Sequence, residues 1–532
     1  MLWDAIGSAV TPRTVLHLPA AGRSIPLSRL LGDTDATAAA IDGDRRVGLL
    51  MANGEPWLRG LLACLRTGAA AVPIALPGAF GAGAYLEHLQ RIVDDAELDT
   101  LLVDETGIRL LKRLDGEVAG VRIRDIDSAD PVGPRRDPRR GADDYAVIQY
   151  TSGSTSAPKG VALTAANVMA GLGVIVDAAA WTDDDCMGLW LPLFHDMGLF
   201  ATLASLVHGT SVCLWRPTDF ARDPRRWLAE CAASPTTAVP MPNFGYQTLA
   251  TAFGDGVPAD MDLSRWRLAF NGAEPVRQAT VREFTEVFAP SGFRPEAMRP
   301  CYGMAEATLM VTCLPEGSAP RALTVDRFQL GPGDAIRIVL EDSDAGWTVM
   351  SAGVAAGDMR WRVGEPGRVG EIEISGPAVM GGYLGVPATG QPFTDDGWLR
   401  TGDLGFEHDG QLYVAGRVKD MIIQHGKNYY AEDIEEIVRR FPSADAGRCA
   451  AIGVTESGAE YIAVLLETPL ASTPAAELAA AVEAEVRAVL GPGVARVYPV
   501  APKTIPHTSS GKVRRRAARE LCRRITQEGA LA

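Results

Sequence analysis

Residues 150–160 read Tyr-Thr-Ser-Gly-Ser-Thr-Ser-Ala-Pro-Lys-Gly and follow directly on an apolar run. Hydroxyls, glycines and one lysine are what a chain of phosphates requires: backbone free to turn several N–H groups inward, side-chain donors and a cation. The run is not a Walker A loop, because Pro158-Lys159-Gly160 stands where that motif needs Gly-Lys-Ser/Thr. A second lysine, Lys512, sits in Thr-Ser-Ser-Gly-Lys near the end of the chain, ahead of a basic stretch. His195 lies in Leu-Pro-Leu-Phe-His-Asp-Met-Gly between apolar runs, a setting equally suited to a packed core histidine. The eight cysteines contain no Cys-x-x-Cys pair, so neither a metal-ligand spacing nor a compact disulfide framework is present.

The elements that must hold these residues follow from the hydrophobic pattern. Short β-branched runs alternate with Ala/Leu-rich segments of helical period, which predicts parallel sheet covered by helices. Residues 46–51, 71–74 and 145–149 read as strands and 55–67 as a helix, while 67–86, broken by Pro73 and Pro77, reads as buried strand and turn. After Gly416-Arg417 the texture changes. A charged strand-like run (418–424), an acidic helix start at Glu432, an Ala/Glu-rich helix (475–490) and a basic helix (513–524) predict a smaller second domain. The expected boundaries are 1–416 and 417–532. With 532 residues and 47% apolar content the chain can build real cores, and 51 basic against 66 acidic residues, net −15, argue against nucleic acid as a partner. No leader and no membrane-length apolar run is read, so a cytoplasmic protein without stable membrane insertion is expected.

Taken together in order, these segments resemble the adenylate-forming superfamily, which joins acyl-CoA synthetases, luciferases and peptide-synthetase adenylation domains. The resemblance spans nearly the whole chain. It rests on the 150–160 loop, on 191–198, on Asn-Gly-Ala-Glu-Pro (271–275) and on Tyr-Gly-Met-Ala-Glu-Ala-Thr (302–308). Thr401-Gly402-Asp403, Gly416-Arg417 and Thr-Ser-Ser-Gly-Lys (508–512) complete it. It implies ATP as substrate, with Thr151, Ser152, Gly153, Ser154, Thr155 and Lys159 on the β- and γ-phosphates and Glu306 and Thr155 placing Mg²⁺. Tyr302 would stack on adenine, with Gly303, Met304 and Ala305 following it and Gly272, Ala273 and Glu274 beside the ring. Asp403, an acceptor-only carboxylate, and Arg417 would take the ribose hydroxyls. Lys512 would bridge the reacting carboxylate and the α-phosphate. His195 would stand between acyl pocket and nucleotide, with Phe194, Met197, Gly198 and Phe244 near the acyl tunnel. Such chemistry needs no general base, since a carboxylate is already ionised at neutral pH; it needs charge neutralisation and in-line positioning.

Within that superfamily the turn 271–277 and the run Lys-Asp-Met-Ile-Ile-Gln-His-Gly-Lys-Asn-Tyr-Tyr (419–430) resemble the fatty acyl-AMP ligases. An extra segment between Leu314 and Gly353 is similar to the insertion that restrains the small domain in those enzymes. The resemblance implies an α/β fold, with a large multi-subdomain N-terminal domain and a small α+β C-terminal domain joined by a hinge at Lys419. It also implies a fatty acid substrate, carried as acyl-AMP to the phosphopantetheine thiol of a stand-alone acyl carrier protein; CoA is the rival acceptor. Ser156, Ala305 and Ala431 depart from commoner glycine, threonine and proline.

Overall fold

Helix Glu55–Thr67 buries Trp57, Leu58, Leu61, Leu62 and Leu65, an apolar face at helical spacing, and ends on Gly68 at φ 79°, a left-handed cap. It joins strands Arg46–Leu50 and Ala70–Pro73, which pair in parallel. The crossover repeats, and in the computed structural model it yields a six-stranded sheet ordered Arg122–Asp125, Thr100–Val103, Arg46–Leu50, Ala70–Pro73, Tyr145–Thr151, Lys159–Thr164. Only the last strand is antiparallel to its neighbour. The structure describes residues 2–77, 82–114, 116–128, 145–151, 158–424, 427–441, 448–456, 459–468, 473–491, 495–507 and 513–529. The reading of 67–86 as strand and turn is corrected at its C-terminal end, where helix Ala82–Asp95 begins. That helix carries its own apolar stripe of Tyr85, Leu89, Ile92 and Val93.

A nine-stranded sheet has a parallel centre of Ser211–Leu214, Cys186–Leu189, Ala238–Met241, Leu268–Asn271 and Met298–Gly303. One continuous core runs between the two sheets, from Leu49 and Trp57 through Leu172 and Phe200 to Phe284. A four-stranded antiparallel sheet, Arg360–Val363 to Gln411–Arg417, closes the large part of the chain. The extra segment forms an antiparallel pair, Ala322–Asp326 with Gly346–Met350, whose Val325, Trp347 and Val349 pack on Leu404, Phe406 and Tyr413 of that sheet.

Beyond Arg417 the chain builds two apolar clusters of its own around strands Cys449–Glu456, Ala459–Glu467 and Ala495–Val500. Helices Ala431–Arg439, Thr473–Leu490 and Arg515–Gly529 belong to this part. Two sequence expectations shift here: 418–420 form a turn, so the strand is only Met421–Gln424, and the basic helix starts at Arg515 rather than 513. Cys186 and Cys213, on neighbouring strands, stand Sγ to Sγ at 3.6 Å, and none of the eight cysteines forms a disulfide. No helix among the described residues is long and apolar enough to cross a membrane.

Candidate active site

The two ends of the hydroxyl-rich segment stand side by side: Thr151 pairs with Lys159 across antiparallel strands Tyr145–Thr151 and Lys159–Thr164. Ser152, Gly153, Ser154 and Thr155 lie outside the described residues, so the structure speaks only for the two ends. At the closing end the Lys159 ammonium stands 4.6 Å from the centroid of the Tyr383 ring. The Tyr383 hydroxyl donates to Glu306 Oε1 at 2.7 Å. Glu306 lies in a one-turn helix, Ala305–Ala307, and is 8% exposed. Burial pushes its carboxyl up, opposed in part by the Tyr383 hydroxyl. The strand that feeds this turn needs glycine at 303, since a Cβ there would sit 1.7 Å from the Leu309 carbonyl oxygen.

Asp403 and Arg417 are register partners on neighbouring antiparallel strands, and Arg417 Nε reaches Asp403 Oδ1 at 2.9 Å. The Tyr302 hydroxyl donates to the other oxygen, Oδ2, at 2.7 Å. Burial, then the Asp403 carboxylate, push the Tyr302 phenol well up, so it stays protonated and keeps donating. Asp403 foremost holds Arg417 charged, and the same charge, at longer range, weakly opposes the burial that raises Glu306. Each Asp403 oxygen retains a second lone pair for a hydroxyl donor. Gly272 approaches Cys301 so closely that a Cβ would meet its carbonyl oxygen at 2.8 Å, and Ala273 takes a left-handed φ of 66°. Glu274 turns from this bend to accept the Phe244 backbone N–H at 2.5 Å, at the start of helix Asn243–Ala252. Met304 follows strand Met298–Gly303 and Ala305, which is buried, opens the one-turn helix Ala305–Ala307.

The His195 loop is clamped by two residues that the sequence reading missed. Asn53 Nδ2 donates to the carbonyls of Leu191 (2.7 Å) and Trp215 (3.2 Å), and its Oδ1 accepts the Leu193 N–H at 2.9 Å. Gln149 Nε2 donates to the Phe194 carbonyl at 2.6 Å. His195 caps helix Asp196–His208, with Nδ1 2.6 Å from Asp196 Oδ1. Gly198 is held under Pro192, whose carbonyl oxygen a Cβ would meet at 2.3 Å, and Met197 is buried. Phe244 is 41% exposed and edge-on to Trp190, which stacks on Phe220 at 4.0 Å. Neither clamp is detectable by spacing; an isolated Asn before Gly reads as an ordinary turn.

In the small part, Lys419 is exposed in the 418–420 turn, and Lys512 lies outside the described residues. Its neighbour Arg515 is buried against Glu432 (2.8 Å), Glu435 (2.5 Å) and Asp420 (3.6 Å). From the extra segment, Arg327 makes a paired contact with both oxygens of Asp433 at 2.7 and 2.8 Å. Trp347 stacks on Tyr430 at 5.4 Å, and the Tyr430 hydroxyl donates to the Leu330 carbonyl.

A buried Glu joined through a tyrosine to a lysine, beside a Tyr–Asp–Arg triad at strand ends, suits an AMP-binding enzyme, and comparison with known proteins agrees. The AMP-binding enzyme family profile matches residues 37–384. The medium-chain-fatty-acid–[acyl-carrier-protein] ligase JamA of Moorena producens is 34% identical over 90% of this chain and 86% of its own. The long-chain-fatty-acid–AMP ligase FadD26 of Mycobacterium marinum is 32% identical over 91% and 88%. A structure from a study of fatty acyl-adenylate ligases from E. coli and L. pneumophila superposes with TM-score 0.88 at 29% identity, covering 99% of this chain and 98% of that one. The chain therefore belongs to the AMP-binding enzyme family, in its fatty acyl-AMP ligase branch.

Proposed function

We propose that this protein activates a fatty acid with ATP and then passes the acyl group to the phosphopantetheine thiol of an acyl carrier protein. In the first step a carboxylate oxygen of the fatty acid bonds to the α-phosphorus of ATP. The bond from that phosphorus to the bridging oxygen breaks and pyrophosphate leaves. In the second, the carrier thiol loses its proton and attacks the acyl carbon, and AMP departs. The observation that carries the reading is the pair of linked sets Lys159–Tyr383–Glu306 and Tyr302–Asp403–Arg417. Cations and donors dominate it, which is what a charge-neutralising, base-free step needs.

The donor set fits Mg²⁺. A buried carboxylate at Glu306, joined by phosphate oxygens and water, is the hard oxygen environment this ion accepts. When bound it would neutralise phosphate charge. Glu306 and Thr155 are the residues we assign to hold it, and Lys159 and the hairpin to hold the outer phosphates. Tyr302, with Gly272 and Ala273, is assigned to the adenine, and Asp403 and Arg417 to the ribose. His195, Phe194, Met197, Gly198 and Phe244 are assigned to the acyl side. Glu274, which caps a helix, is assigned to shaping the adenine bend rather than to touching the ring. Lys512 on the small domain, residues 417–532, is assigned to the adenylation step and Lys419 to the hinge. The reading takes the carrier as a separate protein and the compartment as the cytoplasm, where cysteines outside disulfides, such as the eight here, persist.

The test is a pyrophosphate-release assay over a ladder of fatty acids, followed by addition of either a purified phosphopantetheinylated carrier or CoA. Release that depends on fatty acid, with acyl transfer to the carrier, is expected. Rapid acyl-CoA formation would overturn the choice of acceptor, and absence of fatty-acid-dependent release would overturn the reading as a whole.

A further inference from the structure

The short segment around Tyr383 stitches together two regions that the sequence reading treated separately. Its backbone is tied to the lysine strand on both sides: Leu384 N–H donates to the Gly160 carbonyl at 2.8 Å, and Ala162 N–H to Gly382 at 3.4 Å. Tyr383 itself forms an antiparallel bridge with Val161. Toward the other region, Met380 N–H donates to the Glu306 carbonyl at 2.8 Å. Gln391 fixes the bend, accepting the Tyr383 N–H at 2.7 Å and donating back to the Tyr383 carbonyl at 3.0 Å. The side chain then repeats what the backbone does. Its ring faces the Lys159 ammonium at 4.6 Å and its hydroxyl holds Glu306 Oε1 at 2.7 Å.

We propose that Tyr383 is a positioning residue for adenylate formation, setting the Lys159 ammonium and the Glu306 carboxylate at a fixed separation through its two ends. The inference rests on the reading that Lys159 and Glu306 serve the triphosphate. A lysine is a flexible point charge on a four-carbon stem, and an aromatic face restricts where its ammonium rests. A buried carboxylate with one oxygen hydrogen-bonded loses its freedom to rotate. The two groups come from a hairpin in one sheet and a strand end in the other. Without a shared contact, breathing between the sheets would alter their spacing. A rigid ring with a donor on its far edge links them with few rotatable bonds.

The two ends separate experimentally. Tyr383→Phe keeps the ring and removes the hydroxyl; Tyr383→Leu removes both. With wild-type protein first shown to release pyrophosphate, Tyr383→Phe is expected to lower kcat about 10-fold with little change in the KM for ATP, the scale of a lost hydrogen bond to a charged group. Tyr383→Leu is expected to lose the same in kcat and also to raise the KM for ATP, and the Kd for ATP measured by calorimetry without fatty acid, about 5-fold. Cycles locate the effects: the Phe effect should vanish in a Glu306→Leu background, which lacks any acceptor, and the additional Leu effect in a Lys159→Met background. Additive penalties in both cycles, or a Phe variant equal to wild type, would overturn the inference while leaving the adenylation reading intact. An inactive wild type would instead overturn that reading. Should Tyr383→Leu fail to fold, the Phe variant and its Glu306 cycle still decide.

Discussion

At the scale of single residues, charge is placed by contacts that reach far along the chain. Lys512 illustrates how a loop end can be set by its flanks. His507 bridges Val513, and Arg514 N–H donates to the Pro506 carbonyl at 2.8 Å, so both ends of the 508–512 loop are pinned together. One residue on, Arg515 is anchored on three carboxylates. We expect Lys512→Ala to slow acyl-adenylate formation about 10²–10³-fold, or ~2.7–4 kcal/mol, with ATP binding close to wild type. Unchanged pyrophosphate release in that variant would remove the assignment. The motifs at 150–160 and 508–512 can be singled out in sequence because each is local, although 152–157 and 508–512 lie outside the described residues. Tyr383, Asn53 and Gln149 cannot, because their partners lie 77, 140 and 45 residues away and only tertiary packing brings them in. Glu274 is likewise paired at long range: its carboxylate accepts the Phe244 N–H, 30 residues away, at a helix start.

At the scale of elements, the alternation of strand and helix is readable wherever burial is one-sided or complete, as at Glu55–Thr67, whose limits follow from Pro56 and Gly68. It fails where a run of apolar residues serves two elements, as at Ala82–Asp95, and where a charged run is split by a turn, as at 418–420. The extra segment's contact with the small part could not be read from sequence, since Arg327 and Asp433 are 106 residues apart. Their contact is a buried ion pair whose desolvation weighs against its attraction. Burial pushes the Asp433 carboxyl up to about 7 against the pull of Arg327, with Glu436 raising it and Arg440 lowering it. A released, solvated aspartate titrates near ~3.9. The docked form therefore holds the extra proton between about pH 4 and 7, so docking is strongest at the acid end of that window and weakens as pH rises through 7. Hydrogen exchange in 322–350, corrected for intrinsic rate, should thus be faster at pH 8 than at pH 6, and Asp433→Asn should flatten the difference. Arg327→Ala leaves Asp433 buried without its partner and should weaken docking by about 3–5 kcal/mol, raising CoA acceptance while adenylation persists. Identical exchange in wild type and Arg327→Ala would show that the pair does not hold the small part.

At the scale of the whole molecule, the question is where one part of the chain can turn against the other. Arg417 is fastened to the large part through Asp403, and Val418 N–H donates to the Gly402 carbonyl at 3.0 Å. Asp420 is fastened to the small part through Arg515. Between these anchors stands Lys419 alone, exposed and within the turn. If the two parts rotate with both sets of anchors intact, the backbone angles at this position, and the Asp420 N–H bond to the Arg417 carbonyl across it (3.0 Å), would take up the change, as at a hinge residue. Proline at 419 would hold φ near −65° and also restrict Val418 before it. If adenylation and acyl transfer use different settings of the two parts, such a lock should separate them. We expect Lys419→Pro to form acyl-AMP within about threefold of the wild-type rate, yet to transfer the acyl group to the carrier at least about 10²-fold more slowly. Single-turnover measurements of each half-reaction, with matched thermal stability, make the comparison. Equal slowing of both steps would mean that the substitution only damages the fold. Transfer at the wild-type rate would move the pivot elsewhere, and with it the claim that the anchors at 417 and 420 divide the moving parts.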